Sequence, residues 1–549
     1  MESESMNNYD RLPRESEIEA EANTPGIFGR IIRIAKIERP KFCCLAAMFF
    51  FIALVYSLMR DLKDSFVIEK QGAAAIAFLK TVFITPASII SVLIIQKALN
   101  KYTTSQIFRV VTMIFGVYFI FYGVILIRLG EYFEPDKFWA SDRFGEGKMG
   151  LRKLEFLYSP ILTINAWTAS LLYISSELWG NLVLSLLFLS YSNEICPPKQ
   201  SLRFTPLYFI VSNIGLIISG CFIYFMTIFK ETQSYRNYQY LQQGLFIIAG
   251  ISCVAILLLH YYLEKSILSK PLYIVESATK KKKSKAKVGF VEGLIEMSYS
   301  KVLLAMCGIV FFYFVGYNIG ETSYKAAVSA FSSKENKAAS TVILRNAAIN
   351  QILIGLAVIF FLITPLTRVI EKGFWFVIAL LPLIAVGGLG LVILAFATLN
   401  TAVNPKGKNI KWISNIIKSM GYTEKLNFEV TIGRIGSALF KITKYAAFDV
   451  CKEAISVKIS SDIRPKAKGI YDGIVGKLGK SGSSIVINIL YAIYDTKDPR
   501  DTSVPLFIFS LLGSVIWFIA IIYLNKKYNE AVNSNSDIDL GMKKGYEIK

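Results

Sequence analysis

Apolar runs of about twenty residues recur from one end of the chain to the other, divided by short polar or charged breaks. A run of that length, coiled as a helix rising about 1.5 Å per residue, spans the ~30 Å hydrocarbon core of a bilayer. The breaks delimit twelve predicted spans, near residues 42–60, 74–97, 106–129, 158–193, 204–229, 243–263, 299–320, 341–366, 374–399, 430–458, 469–494 and 504–525. The fourth is long. It holds no proline and a single charge, Glu177, between Ile161 and Asn193, so it is expected as one tilted helix. Ahead of the first span, Arg30, Arg33, Lys36 and Arg39 interleave with Ile31, Ile32, Ile34 and Ile37, the pattern of a helix lying on the inner membrane face. Residues 1–26, acidic and poor in apolar side chains, are expected to form a disordered tail rather than a secretory signal.

Over 549 residues, 54% hydrophobic content and a mean hydropathy of +0.47 exclude a soluble protein. The predicted fold class is an all-α membrane protein. A net charge of +21 would suit nucleic acid in a soluble chain, but here the cations collect in loops. Lys97, Lys101, Lys199, Arg203, the stretch Lys265 to Lys287, Arg368, Lys372, Arg464, Lys466 and Lys468 all fall on the side of the termini. By the positive-inside rule that side is cytoplasmic, and no nucleic-acid partner is implied. The basic loop 400–429 departs from the rule and is expected to carry a surface helix, Ile410 to Met420, on lipid headgroups. Seven cysteines without ligand spacing and a single histidine, His260, indicate neither a disulfide framework nor a metal site, and no cofactor is expected.

The lysine-rich linker Lys270 to Lys287 divides the spans six and six, and the halves repeat. Ala73 to Lys80 in span two matches Ala338 to Arg345 in span eight. Tyr173 and Glu177 in span four match Tyr445 and Asp449 in span ten, and Ile210-Val211 with Gly215 in span five match Ile474-Val475 with Gly479 in span eleven. Spans one and seven both end in acid and base: Asp61 and Lys63, Glu321 and Lys325. Parallel six-span repeats are the pattern of major-facilitator-like carriers, whose site lies between the halves near the midplane.

The charges inside the spans carry the candidate chemistry, since each costs ~3 kcal/mol to insert and therefore marks a wet cavity or a partner. Lys80, Arg345, Lys444 and Lys480 outnumber Glu177, Glu321 and Asp449, an excess that calls for an anionic guest such as a phosphate ester. Lys80 could instead snorkel to the interface. Gly479-Lys480-Ser481 is not a P-loop, which needs a glycine where Ile474 stands and a preceding strand. Close helix packing through Gly476, Gly479 and Gly482 is an equal and compatible reading of that turn. Tyr56, Trp167, Tyr173, Trp179, Tyr445 and Phe448 lie near these charges and could stack on a purine.

Arg60-Asp-Leu-Lys-Asp64, Phe78-Leu-Lys80, Glu177-Leu-Trp-Gly180 followed by Leu184-Ser-Leu-Leu-Phe188, Lys444-Tyr445 with Phe448-Asp449 and Lys452-Glu453, Lys466-Ala-Lys-Gly469 and Leu478-Gly-Lys-Ser-Gly482 form a set of motifs. Together, over about residues 38 to 525, they resemble the non-mitochondrial ATP/ADP nucleotide transporter family of plastids and obligate intracellular parasites such as chlamydiae, rickettsiae and microsporidia. The resemblance implies exchange of ATP for ADP, with some members carrying other nucleotides, NAD or phosphate, or acting with protons. It places the family's functional charges on Lys80, Glu177, Glu321 and Lys480. Gly320-Glu-Thr-Ser-Tyr-Lys325 lacks the tryptophan usual in the family, and the long linker is atypical.

The expectation is a twelve-helix ATP:ADP exchanger, not an enzyme. Residues 1–40 form a cytoplasmic tail with its amphipathic helix, 41–265 and 297–527 the two halves, 266–296 the basic cytoplasmic linker, and 528–549 a second cytoplasmic tail. Lys80, Arg345 and Lys480 are expected to hold phosphates, and Glu177, Glu321, Asp449, Lys444, Lys63 and Asp61 to contact substrate or gate. The chain is expected as a monomer in the plasma membrane of an intracellular parasite, its partners being ATP, ADP and lipid. The rival is a proton-coupled nucleotide or organic-anion symporter, with Glu177 or Asp449 taking the proton; a receptor or scaffold is more distant.

Overall fold

A segment surrounded by lipid has no water to satisfy its backbone, so it must close its own hydrogen bonds, and the helix does this within one stretch of chain. In the computed structural model every regular element among the described residues is helical. Those residues are 34–135, 139–144, 155–270, 300–363, 374–403, 419–459 and 467–540, apart from isolated positions within these ranges, with 18, 21 and 415 described singly. Ten helices among them are long and apolar enough to cross a membrane. They are α1 (Lys36–Gln71), α2 (Ala75–Ile95), α3 (Thr104–Gly130), α4 (Trp167–Ile195), α5 (Arg203–Lys230), α6 (Asn237–Ile267), α7 (Lys301–Lys334), α8 (Ala339–Ile363), α9 (Trp375–Val403) and α12 (Pro499–Asn533). Two further helical runs, α10 (426–457) and α11 (469–494), occupy the predicted tenth and eleventh places. α10 carries too many charges to join the ten and α11, with Lys477, Lys480 and its Gly and Ser residues, is too polar, so the predicted count of twelve is reached only by including them.

The fourth span is broken, not continuous. A helix Tyr158–Asn165 ends at Ala166, whose φ of −102° and ψ of 54° leave the helical region, and α4 starts afresh at Trp167. The cause is tertiary: buried Gln71 at the end of α1 donates to the Ala166 carbonyl at 2.9 Å and to Ser170 Oγ at 2.8 Å, bracing the break from outside. The approach to α1 also differs from expectation. Residues 36–38 make a 3-10 turn that runs straight into the helix, and Glu38 and Lys41 are buried. Arg203 grips Glu38 with two nitrogens at 2.7 and 2.8 Å, while Lys41 donates to the Ile195 carbonyl and to Gln200. These residues are thus pinned to the start of α5 instead of lying on lipid; residues 28–33, residues 271–299 of the linker, and almost all of the expected surface helix at 410–420 are outside the described residues.

Each half has a core, one built on α1 and α3–α6 with Leu344 and Ala348 of α8 joining it, the other on α7 and α9–α12. Within each half the same small-residue contact recurs. A Cβ on Gly215 of α5 would lie 3.1 Å from the Phe50 carbonyl of α1, and one on Gly479 of α11 would lie 2.9 Å from the Phe311 carbonyl of α7. The two glycines are repeat mates in sequence, and they play the same part in space. The halves meet along two seams, α5 on α8 and α2 on α11. In the first, Gly220 sits under the Ala348 carbonyl and Gly355 under the Asn213 carbonyl, each closer than a Cβ would allow without a shift. In the second, Asn488 donates to the Ala77 carbonyl and to Thr81, and Thr85 bonds Ser481. Helices in lipid gain little from hydrophobicity and associate through such close packing and polar contacts.

Overpacking a well-fitted contact costs about 1–3 kcal/mol. Gly215→Val and Gly479→Val should therefore each lower the melting temperature of detergent-purified protein by several degrees. Gly388→Ala, whose Cβ would meet nothing within 4 Å, should leave it unchanged; equal melting temperatures for all three would show that the glycine contacts do not hold the halves.

Candidate functional site

Helix α1 starts on the face where α12 ends and runs to the far face. Past its middle it presents Arg60, Asp61, Lys63 and Asp64, where apolar packing has no partner for them, and α7 presents Glu321 and Lys325 at the matching height. The charges satisfy one another in a line across the two halves. Lys63 Nζ lies 3.0 Å from Glu177 of α4 and 2.8 Å from Asp64; the other oxygen of Asp64 lies 2.7 Å from Lys325 Nζ, which is 3.7 Å from Glu321. Lys63 also stands 3.7 Å from the centre of the buried Tyr173 ring. Beyond this line, toward the far face, Val67, Ile68, Ala75 and Ile76 pack on Tyr324, Ala327, Val328, Ile343 and Val430. The far face is closed by an apolar plug with an ion-pair line beneath it.

The opposite side of the line is wet. Side-chain exposure is 4% for Lys63, 8% for Lys325 and 12% for Asp64, but 27% for Lys444, 31% for Glu177 and 35% for Asp449, and Lys480 is exposed outright although its helix lies among apolar spans. Exposure thus rises toward the face where α1 starts, so a cavity between the halves opens there. Lys80 reaches into the site from α2 and donates to Asn318 Oδ1 at 2.6 Å; Asn318 in turn donates to Ser483 and Ser484 of α11. Lys480 of α11 stands 4.9 Å from the Phe314 ring. Glu177 and Glu321 each interact electrostatically with both Lys80 and Lys480.

The structure therefore brings Lys63, Lys80, Glu177, Glu321 and Lys480 together. Asp61 turns aside, taking a hydrogen bond from Gln351 of α8 and an ion pair with Arg60 at 3.2 Å, so it ties the halves without facing the cavity centre. Lys444 and Asp449 stand nearer the open face, 3.9 Å apart, and Asp449 is shared with Lys452, which also holds Asp472 at 2.5 Å. Arg345 is not part of the group. It is exposed, its guanidinium 5.9 Å from the Tyr224 ring of α5, on the face of α8 opposite Ile343 and Ala347, which line the charged pocket. Sequence reasoning missed three participants. Asp64 was on view in the Arg60–Asp64 motif, Asn318 is an amide in an apolar run, and Lys441 of α10 lies one helical turn before Tyr445, lining a pocket with Arg60, Asp64, Glu321 and Lys325.

Two helical halves, closed on one face and parted on the other around a charged cavity, define the class: a solute carrier of the membrane. The chain belongs to the TLC ATP/ADP transporter family, which matches residues 19–528. It is 34% identical over 533 residues to the ADP,ATP carrier protein 1 of Paranosema grylli, covering 97% of this chain and 96% of that one. To the ADP,ATP carrier protein 1 of Encephalitozoon cuniculi it is 37% identical, covering 97% and 94%, and to that of Rickettsia prowazekii 27% identical, covering 91% and 96%. Among solved structures it is similar to the nucleoside transporter NupG, with 13% identity, a TM-score of 0.49 and coverage of 88% and 99%. The resemblance drawn from the motifs is met, over a slightly longer stretch than they marked.

Breaking a buried ion pair by removing one partner costs about 3–5 kcal/mol, whereas removing both can be nearly neutral. Asp64→Asn takes the shared carboxylate from two lysines at once, leaving Lys63 only Glu177 and Lys325 only the more distant Glu321, and should be the most destabilising single change in the line. Lys325→Met leaves Asp64 its bond to Lys63 and should cost less, and the double variant should cost clearly less than the two losses added. Strict additivity in chemical or thermal unfolding of the four proteins would show that Asp64 and Lys325 do not bond across the halves.

Proposed function

We propose that this chain exchanges ATP for ADP across a membrane, with Lys80 and Lys480 holding phosphate oxygens in the cavity between the halves. The observation that carries this reading is the unequal pairing of the cations. Lys63 and Lys325 are matched by carboxylates, while Lys80, Lys480 and Lys441 have no carboxylate within ion-pair distance among the described residues. Three such cations beside one cavity, on helices of both halves, form a site that an anion of several charges would complete. Glu177 and Glu321 flank it and are suited to orient the ribose or base.

Obligatory exchange follows from the same imbalance. To reorient, the carrier must close the wet side and so withdraw Lys80, Lys480 and Lys441 from water, and uncompensated buried charges are costly. A bound nucleotide supplies the missing negative charge, so the loaded carrier turns over and the empty one is held back. Lys63, Asp61, Lys444 and Asp449 act in this reading as gating charges that change partners between the two states. Residues 41–265 and 297–527 are the two moving halves, joined by 266–296, with residues 1–40 and 528–549 as cytoplasmic tails. The protein works as a monomer in the plasma membrane of an intracellular parasite, its open face cytoplasmic in the conformation described.

Radiolabelled ATP should enter ADP-loaded proteoliposomes much faster than empty ones. Equal rates would overturn exchange, and uptake into empty vesicles that follows an imposed pH gradient would favour proton symport through Glu177 or Asp449. A charge-assisted contact is worth about 1.5–3 kcal/mol, so Lys80→Gln and Lys480→Gln should each weaken ATP binding about tenfold or more. Arg345→Gln, remote from the cluster, should change it by no more than about twofold. Calorimetry on the purified variants measures both, and a loss on Arg345→Gln as large as on Lys80→Gln would return Arg345 to the phosphate site.

A further inference from the structure

Of the six aromatic side chains that the sequence offers for stacking on a purine, four are committed elsewhere. Trp179 is buried and donates its ring N–H to the Ile52 carbonyl. Tyr173 is fully buried beneath Lys63, Phe448 is stacked on Tyr313 at 4.5 Å, and Trp167 donates to the Phe133 carbonyl beside the far face. Tyr56 of α1 and Tyr445 of α10 remain. Tyr445 is 38% exposed, Tyr56 is half-buried, and neither hydroxyl has a hydrogen-bond partner among the described residues. They come from opposite halves and lie within electrostatic range of one another and of Arg60.

Each tyrosine is placed by its helix in the same relation to a cation. On α1, Arg60 follows Tyr56 by four residues and its guanidinium stands 5.6 Å from the Tyr56 ring. On α10, which runs the other way, Lys441 precedes Tyr445 by four residues. Both helices therefore set a tyrosine toward the open face and a cation one turn, about 5.4 Å, deeper, and Arg60 and Lys441 line one pocket. Room for the Tyr56 ring comes from Gly180 in the Glu177–Gly180 motif, where a Cβ would lie only 2.5 Å from the ring edge. Lys444 stands 4.7 Å from the Tyr445 ring on its other approach.

We propose that Tyr56 and Tyr445 form the base subsite of this carrier, holding a purine between two rings from opposite halves, with the nucleotide entering phosphates first toward Lys80 and the base left toward the open face. This rests on the proposed nucleotide exchange and adds the polarity of the bound molecule and the means of base recognition. Stacking reads a ring's flat face and not its hydrogen-bonding edge, so the subsite selects the larger purines over pyrimidines and separates adenine from guanine weakly. It also joins the halves through the base, so a bare polyphosphate would fill the cation site without bridging the rings.

The test is calorimetric binding to the full-length purified protein, with ATP, GTP, CTP and inorganic tripolyphosphate as probes. Tyr56→Leu and Tyr445→Leu should each weaken ATP and GTP about tenfold, in keeping with the usual worth of one base–aromatic stack, while tripolyphosphate affinity stays as in the wild type. That unchanged affinity also reports that each variant is folded. Tyr56→Phe and Tyr445→Phe should retain ATP affinity, because the ring is kept. ATP affinity unaltered by both leucine substitutions, equal losses for ATP and tripolyphosphate, or wild-type CTP binding as tight as ATP would each overturn the base subsite and leave the exchange reading standing. A wild-type protein that binds tripolyphosphate but gains nothing from the nucleoside of ATP would overturn the subsite as well. Failure of the wild type to bind either probe would overturn the proposed function and the subsite with it.

Discussion

Asp64 is one carboxylate between two lysines, and those lysines belong to different halves of the protein. Away from water an unpaired charge is costly, and Lys63 and Lys325 meet that cost by sharing Asp64, at 2.8 and 2.7 Å, with Glu177 and Glu321 on their outer sides. That single requirement fixes much else. It sets α1 and α7 at a common height, brings Glu177 and Glu321 in as the outer members of the line, and holds the halves together beneath the apolar plug. It also decides which cations are spoken for, and so which are left to meet a solute.

Much of this was legible in the sequence because the bilayer imposes a coarse rule. A helix must be apolar for about twenty residues, and a charge within it has to be justified. The spans, the duplication and the charges Lys80, Glu177, Glu321 and Lys480 follow from that rule. The break at Ala166 does not, since Asn165-Ala166-Trp167 contains neither proline nor glycine and the bond that braces it comes from Gln71, some ninety residues earlier. Asn318 carries no formal charge to mark it in an apolar run, although a neutral amide there also needs partners.

Arg345 shows where a repeat in sequence stops being a repeat in space. It matches Lys80 by position in its motif, yet α2 contains a wide π-helical turn at Leu79–Ile84, with Lys80 inside it, while α8 is α-helical from Ala339 to Ile363. A π-turn holds about one residue more than an α-turn, and one residue swings a side chain about 100° around the axis. Equal offsets along the chain therefore put the two cations on different faces. Wide turns recur in corresponding helices of the two halves, at Tyr122–Leu126 and Leu383–Leu389 and again at Trp179–Leu187 and Lys444–Phe448. In the third and ninth helices the duplication kept its local irregularity as well as its order, whereas in α4 and α10 the wide turn follows Glu177 but precedes Asp449.

The seam between α5 and α8 has a mechanical meaning. Where side chains interdigitate, one helix can shift past another only by lifting each knob out of its hole. Gly220 and Gly355 offer no knob of their own: the backbone of each lies on the carbonyl of the facing helix, with Ile352 and Ile217 reaching into the two hollows, at both ends of a short stretch and in both directions. Two rods in that relation can roll on each other like journal and bearing, with those two side chains to unpick. The resistance to turning then sits in the ion-pair line and the apolar plug, and the speed of the carrier is governed by its latch and not by its axle.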